Sequence, residues 1–163
     1  MGRIAGFLRF RAFDLSSEKC AGSMPGALNG RAGAMVRPRL LLIDDEPALA
    51  TFVADAAAMS GFDPVVTDND SLFRDEFHSE APAMVALDLG MPGMDGVELL
   101  RFLSAESFDG PVLIISGFDR RVLESAFRLG EALGLKMVGP LEKPARLDAL
   151  ESILREHRPA PAP

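Results

Sequence analysis

The chain has 163 residues, 48% of them hydrophobic, enough for one domain of ordinary size with a buried core. Its single cysteine, Cys20, excludes an internal disulfide framework and fits a reducing compartment, and no apolar run approaches the roughly 18 residues of a membrane span, so a cytoplasmic protein is expected. The net charge of −7 is unevenly spread, with +5 on residues 1–39 and −12 on the remainder, an acidity that argues against direct nucleic-acid binding and suits a cation site.

Residues 1–37 are rich in Gly, Ala, Ser and Arg and hold no sustained period, so a disordered basic extension is expected there. The stretch from Ile4 to Phe13 lacks the apolar centre and small-residue cleavage site of a secretory signal. Regular patterning begins directly after Met35. A first strand is expected over 39–44, carried by Leu40-Leu41-Leu42-Ile43. A helix over 47–60 follows, with Pro47 in its first turn and Gly61 just past its end. Pro64-Val65-Val66-Thr67 reads as a weaker second strand, and a helix over 71–78 follows with Asp70 as its N-cap. Strands over 83–88, 111–115 and 136–139 alternate with helices over 96–105, 120–133 and 145–156, the second of these three capped by Asp119. Five βα units in series predict one parallel sheet with helices on both faces over residues 38–157, and the closing Pro/Ala-rich stretch 158–163 is expected to be unstructured.

Polar groups follow four of the apolar runs. Asp44-Asp45 comes after the first, Asp88 after Met84-Val85-Ala86-Leu87, Ser116 after Val112-Leu113-Ile114-Ile115, and Lys143 after Met137-Val138. In an open α/β sheet the carboxyl ends of the strands line the functional crevice, so three carboxylates, a hydroxyl and an ammonium should meet there. Adjacent carboxylates repel each other unless a cation sits between them, and hard oxygen ligands suit Mg²⁺. A carboxylate in a Gly/Pro-rich loop, as Asp88 is in Leu87-Asp88-Leu89-Gly90-Met91-Pro92, can also be a nucleophile toward phosphorus. Plainer roles compete at each position. Asp88 could bond turn amides, Asp45 and Glu46 could favour a helix dipole, Ser116 could close a turn, and Lys143 could be solvated. The four positions taken together favour phosphoryl chemistry.

The stretches LLIDDEP (41–47), ALDLGMPGMDG (86–96), LIISG (113–117) and LEKP (141–144) together resemble the receiver domain of two-component response regulators, of the stand-alone, chemotaxis-regulator-like type. The resemblance implies a flavodoxin-like, doubly wound five-stranded parallel sheet of order 2-1-3-4-5. It implies Asp88 as phosphoacceptor, taking phosphate from a phosphohistidine on a sensor histidine kinase or a histidine phosphotransfer protein. Asp45 would hold Mg²⁺ directly and Asp44 through water, with Asp88 and the Gly90 backbone carbonyl as further ligands. Ser116 would hydrogen-bond the phosphoryl group, Lys143 would pair with it, and the Lys143–Pro144 peptide would be cis. The function implied is a phosphorylation switch on binding of a downstream protein target, with self-phosphotransfer and autodephosphorylation in place of enzymatic turnover. Many receivers carry an aromatic residue where this chain has Pro140, so a signal route through the loop 116–119, with Phe118 as the moving group, is expected instead. The alternatives are a phosphate-independent pseudo-receiver and a phosphatase of the haloacid-dehalogenase type. The latter class places its nucleophile after the first strand in an Asp-x-Asp pattern, which Asp44-Asp45-Glu46 does not match.

Overall fold

The computed structural model of the chain describes residues 36–160. Most of the expected basic extension, including Ile4 to Phe13, and the last residues of the Pro/Ala tail lie outside the described residues. In chain order the elements are β1 (Arg39–Ile43), α1 (Pro47–Met59), β2 (Asp63–Thr67), α2 (Asp70–Ser79), β3 (Met84–Asp88), α3 (Gly96–Ala105), β4 (Pro111–Ser116), α4 (Arg120–Ala132), β5 (Lys136–Glu142) and α5 (Leu147–Glu156). The strands form one parallel sheet in the order β2-β1-β3-β4-β5. From β1 the chain winds outward first to β2 and then, in the opposite direction, to β3. The order therefore reverses between β1 and β3, and their carboxyl ends open a crevice there.

The central strands are apolar without interruption because both of their faces are covered: every residue of β1 and β3 is buried. Side chains alternate across the sheet. Leu40, Leu42, Met84, Ala86, Leu113 and Ile115 pack under α1 and α5, while Leu41, Ile43, Val85, Leu87, Val112 and Ile114 pack under α2, α3 and α4. Each of these side chains except the smaller Ala86 contributes about 1.5–3 kcal/mol on removal from water. The edge strands β2 and β5 are half-exposed along most of their length, which is why their sequence signal is weaker.

Two local expectations are corrected. The N-cap of α2 is Asn69, whose side chain accepts from the Leu72 amide at 2.9 Å; Asp70 instead lies in the first turn and pairs with Arg74. Asn69 has the extended backbone that an N-cap requires, whereas Asp70 is already helical. Second, β5 runs through Gly139 and Pro140 to Glu142, three residues beyond the expected end. Its pairing with β4 shifts register between Leu113 and Ile115, so an extra residue is absorbed at a bulge and the ladder resumes at Leu141. Gly139 makes this possible: its φ is 89°, and a Cβ there would lie 2.7 Å from Leu113 Cδ1. Both Gly139–Pro140 and Lys143–Pro144 are cis peptides, the latter as the resemblance implies.

The one buried arginine, among the described residues, has a structural role. Arg39 donates from Nη1 to the Glu76 carbonyl at 2.8 Å and to that of Glu80, and pairs with the Glu76 carboxylate. A cation is thereby placed on the carbonyl end of α2, where the helix dipole favours it.

Candidate phosphoryl and metal site

The strand ends deliver the expected groups to one place. Asp88 closes β3, Ser116 closes β4, Asp44 and Asp45 follow β1, and Lys143 follows β5. Lys143 is drawn to the others through its backbone, since its amide donates to the Ser116 carbonyl at 2.9 Å. Its ammonium then donates to Asp88 Oδ2 at 2.7 Å and to Asp44 Oδ2 at 3.3 Å. Asp44, Asp88 and Ser116 are buried, Asp45 is exposed, and the Lys143 side chain is 18% exposed. One side chain thus opens the cluster to solvent and another bridges its two buried carboxylates.

The remaining carboxylate oxygens are partly satisfied by the turns that follow each strand. Asp44 Oδ1 accepts from the Glu46 amide at 2.8 Å, and Asp88 Oδ1 accepts from the Gly90 amide at 2.7 Å. The turn-amide bond is therefore present at Asp88, and it leaves Oδ2 to Lys143. Glu46 contributes its backbone as the N-cap residue of α1, whose first turn contains no acidic side chain. Ser116 Oγ accepts from the Phe118 amide at 3.3 Å, leaving its own proton available as a donor. Gly90 faces both groups: a Cβ placed on it would lie 3.2 Å from Asp88 Oδ1 and 3.6 Å from Ser116 Oγ. The loop that presents Asp88 folds back tightly, with Gly96 against Leu89, where a Cβ would collide with the leucine side chain.

One oxygen from each of Asp44, Asp45 and Asp88 lies within 4.8 Å of the others. Three formal negative charges face one ammonium, which leaves two uncompensated, and a divalent cation with a preference for oxygen ligands fits that deficit. The buried charges show the tension. Burial pushes the Asp44 carboxyl above the ordinary carboxylate range, against the opposing pull of the Glu46 amide and of Lys143. Burial alone would lower Lys143, but its hydrogen bond to Asp88 and the charges of Asp44 and Asp88 lift it above its ordinary value. Lys143 therefore stays charged at neutral pH. Among the described residues no helix is long and apolar enough to cross a membrane.

Residues 40–155 match the response regulator receiver domain family. Among full-length relatives, the chain is 34% identical over 128 residues to the transcriptional regulatory protein FixJ of Bradyrhizobium diazoefficiens, a match covering 74% of this chain and 58% of FixJ. It is 32% identical over 117 residues to the C4-dicarboxylate transport transcriptional regulatory protein DctD of Pseudomonas aeruginosa, covering 72% of this chain and 24% of DctD. The chain thus spans less than two thirds of either regulator. Among solved structures, the chemotaxis protein CheY4 of Vibrio cholerae superposes with a TM-score of 0.63 at 18% identity, covering 74% of this chain and 98% of that one. A response regulator signal receiver domain from Bermanella marisrubri gives a TM-score of 0.62 at 25% identity, covering 73% and 96%.

Proposed function

The chain belongs to the response regulator receiver domain family of two-component systems, in which phosphorylation and Mg²⁺ binding are general, and on that premise we propose that Asp88 is its phosphoacceptor. The observation that carries the assignment is the Lys143 ammonium bridging buried Asp88 and buried Asp44, with exposed Asp45 beside them. A buried carboxylate paired with a cation and opened to solvent on one side is poised to accept a phosphoryl group.

In the proposed step an oxygen of Asp88 attacks the phosphorus of a phosphohistidine on a sensor kinase or phosphotransfer protein. The O–P bond forms, the P–N bond breaks, and its electron pair returns to the imidazole, leaving an aspartyl phosphate. Ser116 donates a hydrogen bond from its hydroxyl to a phosphoryl oxygen, and Lys143 exchanges its bond to Asp88 for one to the phosphoryl group. Asp45, Asp88 and the Gly90 carbonyl would hold Mg²⁺, with Asp44 behind them. When bound, that ion supplies charge neutralisation between the acceptor carboxylate and the incoming phosphoryl oxygens. The rest of the protein's contribution is positioning.

The domain is a signalling domain, and we infer that its output is altered binding to a downstream protein, in the cytoplasm, by a receiver spanning about residues 38–157. Incubation with acetyl phosphate and Mg²⁺, followed by intact mass, tests the assignment. The wild type should gain one phosphoryl group, and Asp88→Asn or omission of Mg²⁺ should abolish the gain. An unmodified wild type would favour a phosphate-independent interaction module. Continuous turnover of p-nitrophenyl phosphate would favour a phosphatase.

A further inference from the structure

Asp44 and Asp45 stand on a chain end that has to resist their mutual repulsion, and a residue outside the constellation holds it. Thr67, the last residue of β2, is 4% exposed in a strand whose other residues are exposed or half-exposed. Its hydroxyl donates to the Leu42 carbonyl at 2.9 Å, in a buried bond. Its own carbonyl accepts from the Asp44 amide at 3.1 Å. Thr67 pairs with Ile43 in the sheet, so these two bonds reach the residues on either side of that partner. One is the residue before the end of β1 and the other is the first carboxylate.

We propose that Thr67 is a positioning residue for the carboxylate pair, clamping the end of β1 so that Asp44 and Asp45 meet a divalent cation together with Asp88. The proposal rests on the metal reading given above. Thr67 touches none of the reacting groups and acts through the backbone. With the bond from Thr67, Asp44 is fixed at three points: its amide by the Thr67 carbonyl, Oδ1 by the Glu46 amide at 2.8 Å, and Oδ2 by Lys143 at 3.3 Å. Of the three, Thr67 is the one that neither carries site charge nor belongs to the loop it restrains. The next fixed point in sequence is the start of α1, where Pro47 has no amide to donate. If the hydroxyl bond to Leu42 is lost, the strand end gains freedom where two carboxylates push each other apart. A threonine that merely satisfied its own hydroxyl would change stability and leave cation affinity alone.

The test compares wild type, Thr67→Val, Thr67→Ser and, as a control, Asp45→Asn in the full chain, by calorimetric titration with Mg²⁺ and by hydrogen exchange of the Asp44 amide. Valine keeps the shape and removes the donor; serine restores the donor. Thr67→Val should weaken Mg²⁺ binding about three- to tenfold, the range of one net hydrogen bond, and speed exchange at Asp44. Thr67→Ser should lie near wild type in both. Wild-type Mg²⁺ affinity in Thr67→Val, even with lowered thermal stability, would overturn the proposal. Should the valine variant not fold, Thr67→Ala carries the same test, and failure of both to fold would make Thr67 a structural residue and equally overturn it. A wild type that binds Mg²⁺ no better than Asp45→Asn would overturn the metal reading as well. Tight wild-type binding with no Thr67 effect would overturn the positioning role alone.

Discussion

Lys143 stands where the structural and chemical demands on single residues meet. Without it, Asp44 and Asp88 would be buried carboxylates with only amide partners. Its pKa is lifted above the ordinary 10.5, so its contribution to stability is fully present below that value and is lost as pH rises through the folded value. Asp44 is also raised, from its ordinary 3.8, and therefore acts in the same sense but in a separate acidic window: the folded state prefers it protonated, so its contribution is present below the ordinary value and declines as pH climbs through its folded pKa. Urea unfolding of wild type and Lys143→Met should differ by about 1 kcal/mol at neutral pH in the absence of Mg²⁺, the difference shrinking above the ordinary lysine value. A difference that persists unchanged into strongly alkaline solution would show that Lys143 acts by packing and not by charge. Of the five clustered side chains, Asp44, Asp45, Asp88 and Ser116 were legible in the sequence because each comes at the end of an unbroken apolar run, whereas Lys143 follows a half-exposed edge strand and was legible mainly through the motif around it. Thr67 was not, because a hydroxyl at the end of a weak edge strand carries no mark of the carbonyl it bonds.

Among the elements, α4 is held unevenly. At its carboxyl end Gly130 packs so closely on Met137 of β5 that a Cβ would run into the sulfur, and Ser104 of α3 donates to the Leu133 carbonyl at 2.8 Å. At its amino end Phe118 is 44% and Val122 48% exposed, and the Asp119 cap bonds only its own helix, from the Arg121 amide at 2.8 Å. That loose end adjoins Ser116. The bulge at Gly139 and Pro140 offers no aromatic side chain to swing, so the outlet expected for motion that begins at Ser116 is α4 and its leading loop. Beryllofluoride with Mg²⁺, which mimics an acyl phosphate, should shift the amide resonances of residues 117–122 and leave 130–133 nearly unchanged. An unmoved 117–122 segment would refute this route. The length of β5 escaped sequence reading for a related reason. Gly139-Pro140 reads as a strand stop, whereas here the glycine's positive φ and a register shift carry the strand past it.

At the scale of the whole molecule, the fold was legible because the two central strands β1 and β3 are buried on both faces and so are written as unbroken apolar runs. The order β2-β1-β3-β4-β5 followed from the family resemblance, since five βα units alone fix a parallel sheet and not the order of its strands. What the order achieves is chemical: it puts β1 and β3 side by side at the reversal point, so that Asp44, Asp45 and Asp88 share one crevice, with Ser116 and Lys143 closing it from β4 and β5. The central claim is that this crevice makes an acyl phosphate on Asp88. Borohydride reduces an acyl phosphate to the alcohol and spares a free carboxylate, so treatment of the phosphorylated protein followed by peptide mass analysis locates the bond. The account predicts homoserine at position 88, formed only when Mg²⁺ and a phosphodonor are both supplied. Homoserine at Asp44 or Asp45, or phosphorylation that leaves position 88 unreduced, would contradict it.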